Sequence, residues 1–284
     1  QTLIIEAGGT KSAFAVVGNG QLLAQCTATG INPNYSTNEE IRQCLCTFRS
    51  QYQSCHEIRK VVYYGAGCAS IENQKRMQDL LASFFITADI VVHSDLLAVC
   101  HALCHGQRAI AGILGTGAAT CLYDGNQLVS RAPSLGYMLG DEGSGTNLGK
   151  RLLIAYLNGT LPAELKEAIE EQYGLTFQDT IHKIYSEPHP NQLMSSLAPF
   201  VSDHLEHPFL QQLAHDAFSA FFFNQRQYYP EADTLQWHIA GSVAFFYEPF
   251  IRKAASEADC HVGTIIRAPM ERLIEIHKIR TKSS

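Results

Sequence analysis

No basic tract occurs anywhere in these 284 residues, and the formal charge is −6. That balance argues against general affinity for nucleic acid or for acidic membrane surfaces. No apolar stretch reaches membrane-spanning length, and the chain enters a strand almost at once, without a signal-peptide pattern. Low-complexity segments and obvious flexible linkers are missing as well. Charged residues make up only 17% against 46% hydrophobic, which describes a folded globular protein rather than a disordered one. At this length two ordinary domains or one large one can bury a substantial core.

Three familiar signatures are also absent. Gly9-Thr10-Lys11-Ser12 superficially resembles the end of a Walker loop, but the required glycine spacing is missing. A strand-like run follows where a helix should stand. Gly65-Ala66-Gly67 lacks the third glycine and the paired acidic residue of a dinucleotide fingerprint, so a bare loop is expected there. Cys100, His101, Cys104 and His105 form two i, i+4 pairs on one expected helix, without the Glu of a His-Glu-x-x-His motif. A core role for the cysteines, with the histidines facing out, is the simpler expectation. Cysteine itself is plentiful: nine, an odd number, with Cys26, Cys68, Cys100 and Cys121 inside apolar runs. That usage suits reduced, buried thiols in a cytoplasmic protein better than a disulfide framework.

What is present starts at residue 3. Leu3 to Ile5 form a short apolar strand that ends on Glu6 and turns through Gly8-Gly9. It returns as Ala13 to Val17, closed by the turn Gly18-Asn19-Gly20. Glycines let backbone N–H groups approach an anion, and Thr10, Lys11 and Ser12 add donors and a positive charge, so the stretch reads as a phosphate-binding hairpin. A third strand (21–27) and a loop through Gly30-Ile31-Asn32-Pro33 follow. Ser36 with Glu39 resembles a capping box opening a helix through Ile41, Leu45 and Phe48. Val61–Tyr64 is a buried-type strand, a helix surrounds Met77–Phe84, and Ile90–Val92 is a strand ending at His93-Ser94-Asp95.

From Ala109 the pattern repeats: strand, Gly115-Thr116-Gly117, strand, the hairpin turn Asp124-Gly125-Asn126 and a third strand. Glycine-rich sequence from Gly136 to Gly149 leads into helices near 152–157, 162–173, 193–205 and 209–228. A strand (235–240) breaks at Gly241-Ser242, followed by a helix, a strand (262–266) and a closing helix from Met270. The order strand-strand-strand-helix-strand-helix-strand thus occurs twice, which predicts two similar α/β lobes with a mixed sheet in each. The aromatic stripe Phe218, Phe221, Phe222, Phe223 reads as helix core, with a subunit interface, and hence a homodimer, left open.

The ordered set Glu6-Ala7-Gly8-Gly9-Thr10-Lys11-Ser12, Gly30-Ile31-Asn32-Pro33, Asp95, Gly115-Thr116-Gly117, Leu139-Gly140-Asp141-Glu142-Gly143-Ser144-Gly145 and Gly241-Ser242-Val243 resembles the sugar kinase/heat-shock ATPase/actin superfamily. More narrowly it is similar to the BadF-type ATPases that include the N-acetylglucosamine kinases. The resemblance implies two lobes of ribonuclease H-like (actin-like ATPase) fold with a nucleotide cleft between them. The expected lobes are 1–108, joined by the C-terminal helix 268–284, and 109–267. It implies that Gly8, Gly9, Thr10 and Lys11, with Gly115, Thr116 and Gly117, hold the phosphates of ATP, and that Gly241 and Ser242 lie beside the nucleoside. Glu6 would hold the water shell of Mg²⁺. Asn32, Gly136, Asp141 and Gly145 would line a sugar pocket with Asp95, the catalytic base, while Lys11 has no catalytic role. From position alone, Asp95 equally suits a helix cap. Asn32 also suits a bare Asn-Pro turn, the lesser reading beside a role in amide or hydroxyl recognition.

The chain departs from the family pattern in carrying Glu6 where most members have Asp, and Ala118-Ala119 where many have Ser-Asn. The expected activity is phosphorylation of the 6-hydroxyl of an amino sugar, N-acetylglucosamine first, with N-acetylmuramic acid or glucosamine as alternatives. From other classes, an ATP-driven dehydratase activator would need exposed interfacial cysteines. A nucleotide- or sugar-binding sensor fits the same departures.

Overall fold

The computed structural model describes residues 1–186 and 190–282, which divide into two compact units. The first comprises 1–107, 125–127 and 268–284; the second comprises 108–124 and 128–267.

In the first unit the chain runs β1 (Thr2–Ala7), β2 (Lys11–Gly18), β3 (Gln21–Thr29), α1 (Asn38–Gln51), β4 (Lys60–Gly65), α2 (Ile71–Phe84), β5 (Asp89–Ser94) and α3 (Asp95–Leu103). The sheet order is β3-β2-β1-β4-β5, with an antiparallel meander of three strands extended by two parallel ones. Asn19 and Gly20 both take positive φ, the backbone that a tight two-residue hairpin demands. Leu3, Ile5, Phe14, Val16 and Tyr63 join Ile41, Leu45, Phe48, Met77 and Leu81 in one buried cluster, so α1 and α2 cover that face.

Register decides where this unit's polar residues gather. Ala7 pairs with Gly65, and Gly65 with Ser94, so the three parallel strands end in one row. Glu6, Tyr64 and His93 form the row before it. Residues just past those ends therefore share one carboxyl edge, where open α/β sheets bind ligands.

Two local expectations shift. The α1 cap is Thr37 with Glu40, a complete capping box, rather than Ser36 with Glu39. The Ser36 hydroxyl already accepts the Asn32 amide at 3.2 Å, which leaves the capping position to its neighbour. Helix α3 ends at Leu103, so Cys104 is its cap and His105 (φ 48°) lies beyond it. Nor does His101 face solvent, since its Nδ1 lies 2.9 Å from the Tyr64 hydroxyl and its ring packs edge-on to His93. Among the described residues no cluster of His, Cys, Asp or Glu could hold a metal by itself.

The second unit begins with β6 (Ala109–Leu114), β7 (Ala118–Tyr123) and β8 (Leu128–Arg131). A helical block follows: α4 (Gly136–Leu139), α5 (Gly145–Leu157), α6 (Ala163–Tyr173), α7 (Phe177–Ser186), α8 (Pro190–Ser196), α9 (Ala198–Asp203) and α10 (Pro208–Arg226). Then come β9 (Gln236–Ala240), α11 (Ser242–Phe246), α12 (Glu248–Glu257) and β10 (His261–Ile266); the chain returns to the first unit as α13 (Met270–Lys282). The sheet order is β10-β9-β6-β7-β8, the same plan as in the first unit. Phe218, Phe221 and Phe222 of α10 are fully buried beside Trp237, which makes the aromatic stripe core; Phe223 is exposed.

The glycine-rich run is not a continuous loop. Ser144 caps α5 by accepting the Asn147 amide, and helix begins already at Gly145. Gly149 belongs inside that helix because a Cβ there would collide with the Met194 carbonyl of α8. The expected 193–205 helix is two, α8 and α9, with Pro199 in the first turn of the second. Helix α7 was not foreseen; Thr176 caps it by accepting the Asp179 amide at 3.2 Å.

Candidate active site

In the first unit the Gly8 amide donates to the Lys11 carbonyl at 2.9 Å and closes the β1–β2 turn. Gly30 braces it from behind: its amide donates to the Thr10 carbonyl, and a Cβ there would lie 2.5 Å from the Gly8 carbonyl oxygen. Gly9, Thr10 and Lys11 stand exposed at the tip, and nothing lies within 4 Å of a Cβ position on Gly9. Asp95 opens α3 directly after the strand row ends. Its Oδ1 accepts the Leu96 amide at 2.9 Å, so one oxygen does engage the helix start. Asn32 forms the expected turn, its Oδ1 accepting the Asn34 amide at 3.0 Å. Its side chain seats against Gly67, where φ is +78° and a Cβ would strike Asn32 Oδ1.

In the second unit the Gly115 amide donates to the Gly117 carbonyl at 3.0 Å. The first turn of α5 straps this turn down. Gly145 donates to the Gly115 carbonyl at 2.8 Å, and the Thr146 hydroxyl to the Thr116 carbonyl at 2.7 Å. Asp141, at φ 60°, lays its carboxylate against Gly117 and accepts the Ala118 amide at 3.3 Å. Gly241 (φ +132°) backs the turn as Gly30 does in the first unit, since a Cβ there would collide with the Leu114 carbonyl. Ser242 is exposed just after it, and Gly136 opens α4, one short helix upstream of Asp141.

A scan of family models finds no match, and a search of curated protein sequences finds none. Solved structures do match. A provisionally named N-acetylglucosamine kinase from Porphyromonas gingivalis is 34% identical, with a TM-score of 0.93 over 98% of this chain and 99% of that one. The chain belongs to that kinase-like family. Two more distant structures share the fold. One is a provisionally named N-acetylglucosamine kinase from Chromobacterium violaceum (17% identity, TM-score 0.72, 96% and 97% covered). The other is a ROK-family glucokinase from Streptomyces griseus in complex with glucose and AMPPNP (16%, 0.56, 98% of both chains). The two lobes with mixed sheets are the actin-like ATPase fold of the sugar kinases.

Within this family member, the electrostatics of the first unit stand out. Burial, then the Asp95 charge, push Glu6 up to about 7, with Lys11 pulling the other way. Asp95 thus opposes the ionisation of Glu6, and the Glu6 carboxylate, a hard oxygen donor, is the group that could hold the water shell of Mg²⁺. In the second unit burial, then the neighbouring Glu142, raise Asp141; the Ala118 amide and Lys150 oppose this.

The structure thus brings Glu6, Gly8–Lys11, Asn32 and Asp95 to one edge of one unit. It gathers Gly115–Gly117, Asp141, Gly145, Gly241 and Ser242 around the turn of the other. Sequence reasoning missed Thr146, Gly67, Asn73 and Arg76. Thr146 had a faint signal in its place beside the Asp141 motif. A polar residue on an amphipathic helix, as Asn73 and Arg76 are, reads only as a solvated face.

Proposed function

We propose that the protein is an ATP-dependent kinase that phosphorylates the 6-hydroxyl of an amino sugar, N-acetylglucosamine being the acceptor, and that it stands in the BadF-type branch of its family. Family membership supports the sugar-kinase reading. The observation that carries it is the pairing of Glu6 and Asp95 at the carboxyl edge, beside an open glycine turn and the Asn32 loop.

In this reading the glycine turns Gly8–Lys11 and Gly115–Gly117 are the phosphate-binding elements, whose backbone amides hold anionic oxygens. The positive N-terminal end of α5 stands behind the second turn. Asn32, Asp141, Gly136 and Gly145 orient the sugar, and carboxylate oxygens accept from its hydroxyls. Asp95 takes the proton of the acceptor hydroxyl as its oxygen bonds to the γ-phosphorus and the bond to the bridging β–γ oxygen breaks, releasing ADP. Mg²⁺, when bound, supplies charge neutralisation for the triphosphate, with Glu6 holding its water shell. Gly241 and Ser242 lie beside the nucleoside.

The dehydratase-activator reading finds little support: among the nine cysteines only Cys46 is exposed, and the others are buried or half-buried. Coupled ADP-release assays over N-acetylglucosamine, N-acetylmuramic acid, glucosamine, N-acetylmannosamine and glucose test the proposal. Turnover is expected to be highest with N-acetylglucosamine. Absence of sugar-stimulated ADP release with every hexose ends the kinase reading.

A further inference from the structure

The Asn32 loop contains little structure of its own. Within it, Tyr35 and Ser36 amides both turn back to the Asn32 carbonyl at 2.9 and 2.7 Å. The carbonyls of Pro33 and Ser36 point the other way, towards α2, and there a single guanidinium collects them. Arg76 donates through one terminal nitrogen to the Pro33 carbonyl at 2.6 Å and through the other to the Ser36 carbonyl at 2.8 Å. Its Nε donates to Asn38 Oδ1, in the first turn of α1, at 2.9 Å. One turn earlier on the same helix face, Asn73 donates to Asn34 Oδ1 at 2.6 Å and to the Gly67 carbonyl at 2.8 Å. Gly67 completes the seat, because only a residue without Cβ leaves room for Asn32 Oδ1.

We propose that Arg76, seconded by Asn73, is a positioning residue for acceptor binding: it fixes the loop from behind so that Asn32 presents its amide in one orientation. The inference rests on the kinase reading, and it adds that sugar affinity is set by a helix face that the sugar does not touch. The guanidinium is suited to this because its planar fork satisfies two loop carbonyls and the start of α1 at once. A lysine ammonium is a point charge and cannot span all three. Ordering residues 32–37 before the sugar arrives removes that entropic cost from binding. Loss of the fork therefore weakens the acceptor complex selectively. ATP is held by the glycine turns and is unaffected, as is the barrier once the sugar is seated.

The test compares wild type with Arg76→Ala, Arg76→Lys and Asn73→Ala, using steady-state kinetics in both substrates and amide hydrogen exchange over residues 32–38. Lys75→Ala, a neighbour whose salt bridge to Asp79 is solvent-exposed, serves as control. Arg76→Ala is expected to raise the acceptor KM about tenfold or more, leaving kcat and the ATP KM within about twofold, and to speed loop exchange about tenfold. Arg76→Lys and Asn73→Ala fall between, and they carry the test should Arg76→Ala not fold. Acceptor and ATP KM values rising together, or loop exchange unchanged with normal acceptor KM, overturn the positioning role. A wild type inert towards every sugar instead takes down the kinase reading, and the proposal with it; the two failures are told apart by the wild-type assay alone.

Discussion

The two units are built on one plan and armed differently. Each sheet starts with an antiparallel meander whose first turn is glycine-rich, and extends it by two parallel strands. Glu6 in the penultimate position of β1 corresponds to Ile113 in β6, and Asp95 after β5 corresponds to Arg267 after β10. The first unit therefore carries its carboxylates on the strand ends themselves. The second has none there and imports Asp141 from the helical block inserted between its third and fourth strands. In the first unit that same interval holds a single α-helix, α1. The scaffold is shared, while the residues that end the strands decide which unit carries carboxylates at its sheet edge.

The sharpest way to break this comparison is at the paired positions Asp95 and Arg267. Asp95→Asn is expected to lower kcat by about 10²- to 10⁴-fold with the ATP KM changed by less than about threefold, because the proposed general base is lost without its shape. Arg267→Ala, at the matching place in the other unit, is expected to leave kcat within about threefold; its guanidinium lies over the Phe246 ring at 5.4 Å. Equal losses from both substitutions, measured by ADP release, contradict the division of labour.

The bracing glycines come next. Gly30→Ala and Gly241→Ala each drive a methyl group into the backbone of their unit's turn, and Gly241 adds a left-handed backbone. A cost of about 1–3 kcal/mol is expected for the first and more for the second, read from urea unfolding. Gly9→Ala and Gly115→Ala meet open space, so they should leave stability nearly unchanged and weaken ATP binding instead. Stability losses at the open positions as large as at the braced ones refute the assignment of which glycines hold and which receive.

Glu6 tests the first unit alone. Its folded pKa of about 7 lies above the ordinary 4.5, so the folded chain binds that proton more tightly than the unfolded one. Its contribution to stability is full below pH 4.5 and is lost as pH rises through 7, a cost on the order of 3–4 kcal/mol in the limit. Glu6→Gln is accordingly expected to raise the melting temperature at pH 8 and to do so much less at pH 5. Since cation binding requires the ionised form, the Mg·ATP KM of wild type should fall from pH 6 to pH 8, and that slope should vanish in the variant. A pH-independent stability difference removes the shifted carboxylate from the account.

The smallest contrast lies in the helix caps. Thr37→Ala opens an exposed capping box and should cost about 1 kcal/mol; Ser144→Ala strips a fully buried cap behind the second turn and should cost nearer 2 kcal/mol. Chemical denaturation of both variants ranks them, and the reverse order would mean that burial does not weight the cap.

Much of the fold was legible because strand signals here are local. Alternating or continuous apolar runs such as Leu3–Ile5 and Val61–Tyr64, broken by glycines, announce both the strands and their ends. Helices in the second unit were less legible: the helix was expected only near 152–157, past the glycine-rich run, yet Ser144 starts it at Gly145 and close packing against α8 requires the missing side chain of Gly149. The candidate site divides in the same way. Glu6 and Asp95 could be singled out from their places at strand ends, whereas the orientation of His101 towards Tyr64 could not.

By itself, then, the amino-acid order determined the alternation of strands and glycine breaks, its repetition, and the two carboxylates at the strand termini, because each depends on neighbours within a few residues. Only the tertiary structure decided that Asp141 lies against Gly117, that α5 straps the second turn, that Gly30 and Gly241 brace their turns, and that Arg76 grips the Asn32 loop. Those are hydrogen bonds and close approaches between segments 20 to more than 120 residues apart, and residue periodicity says which face is buried but not which distant backbone it meets.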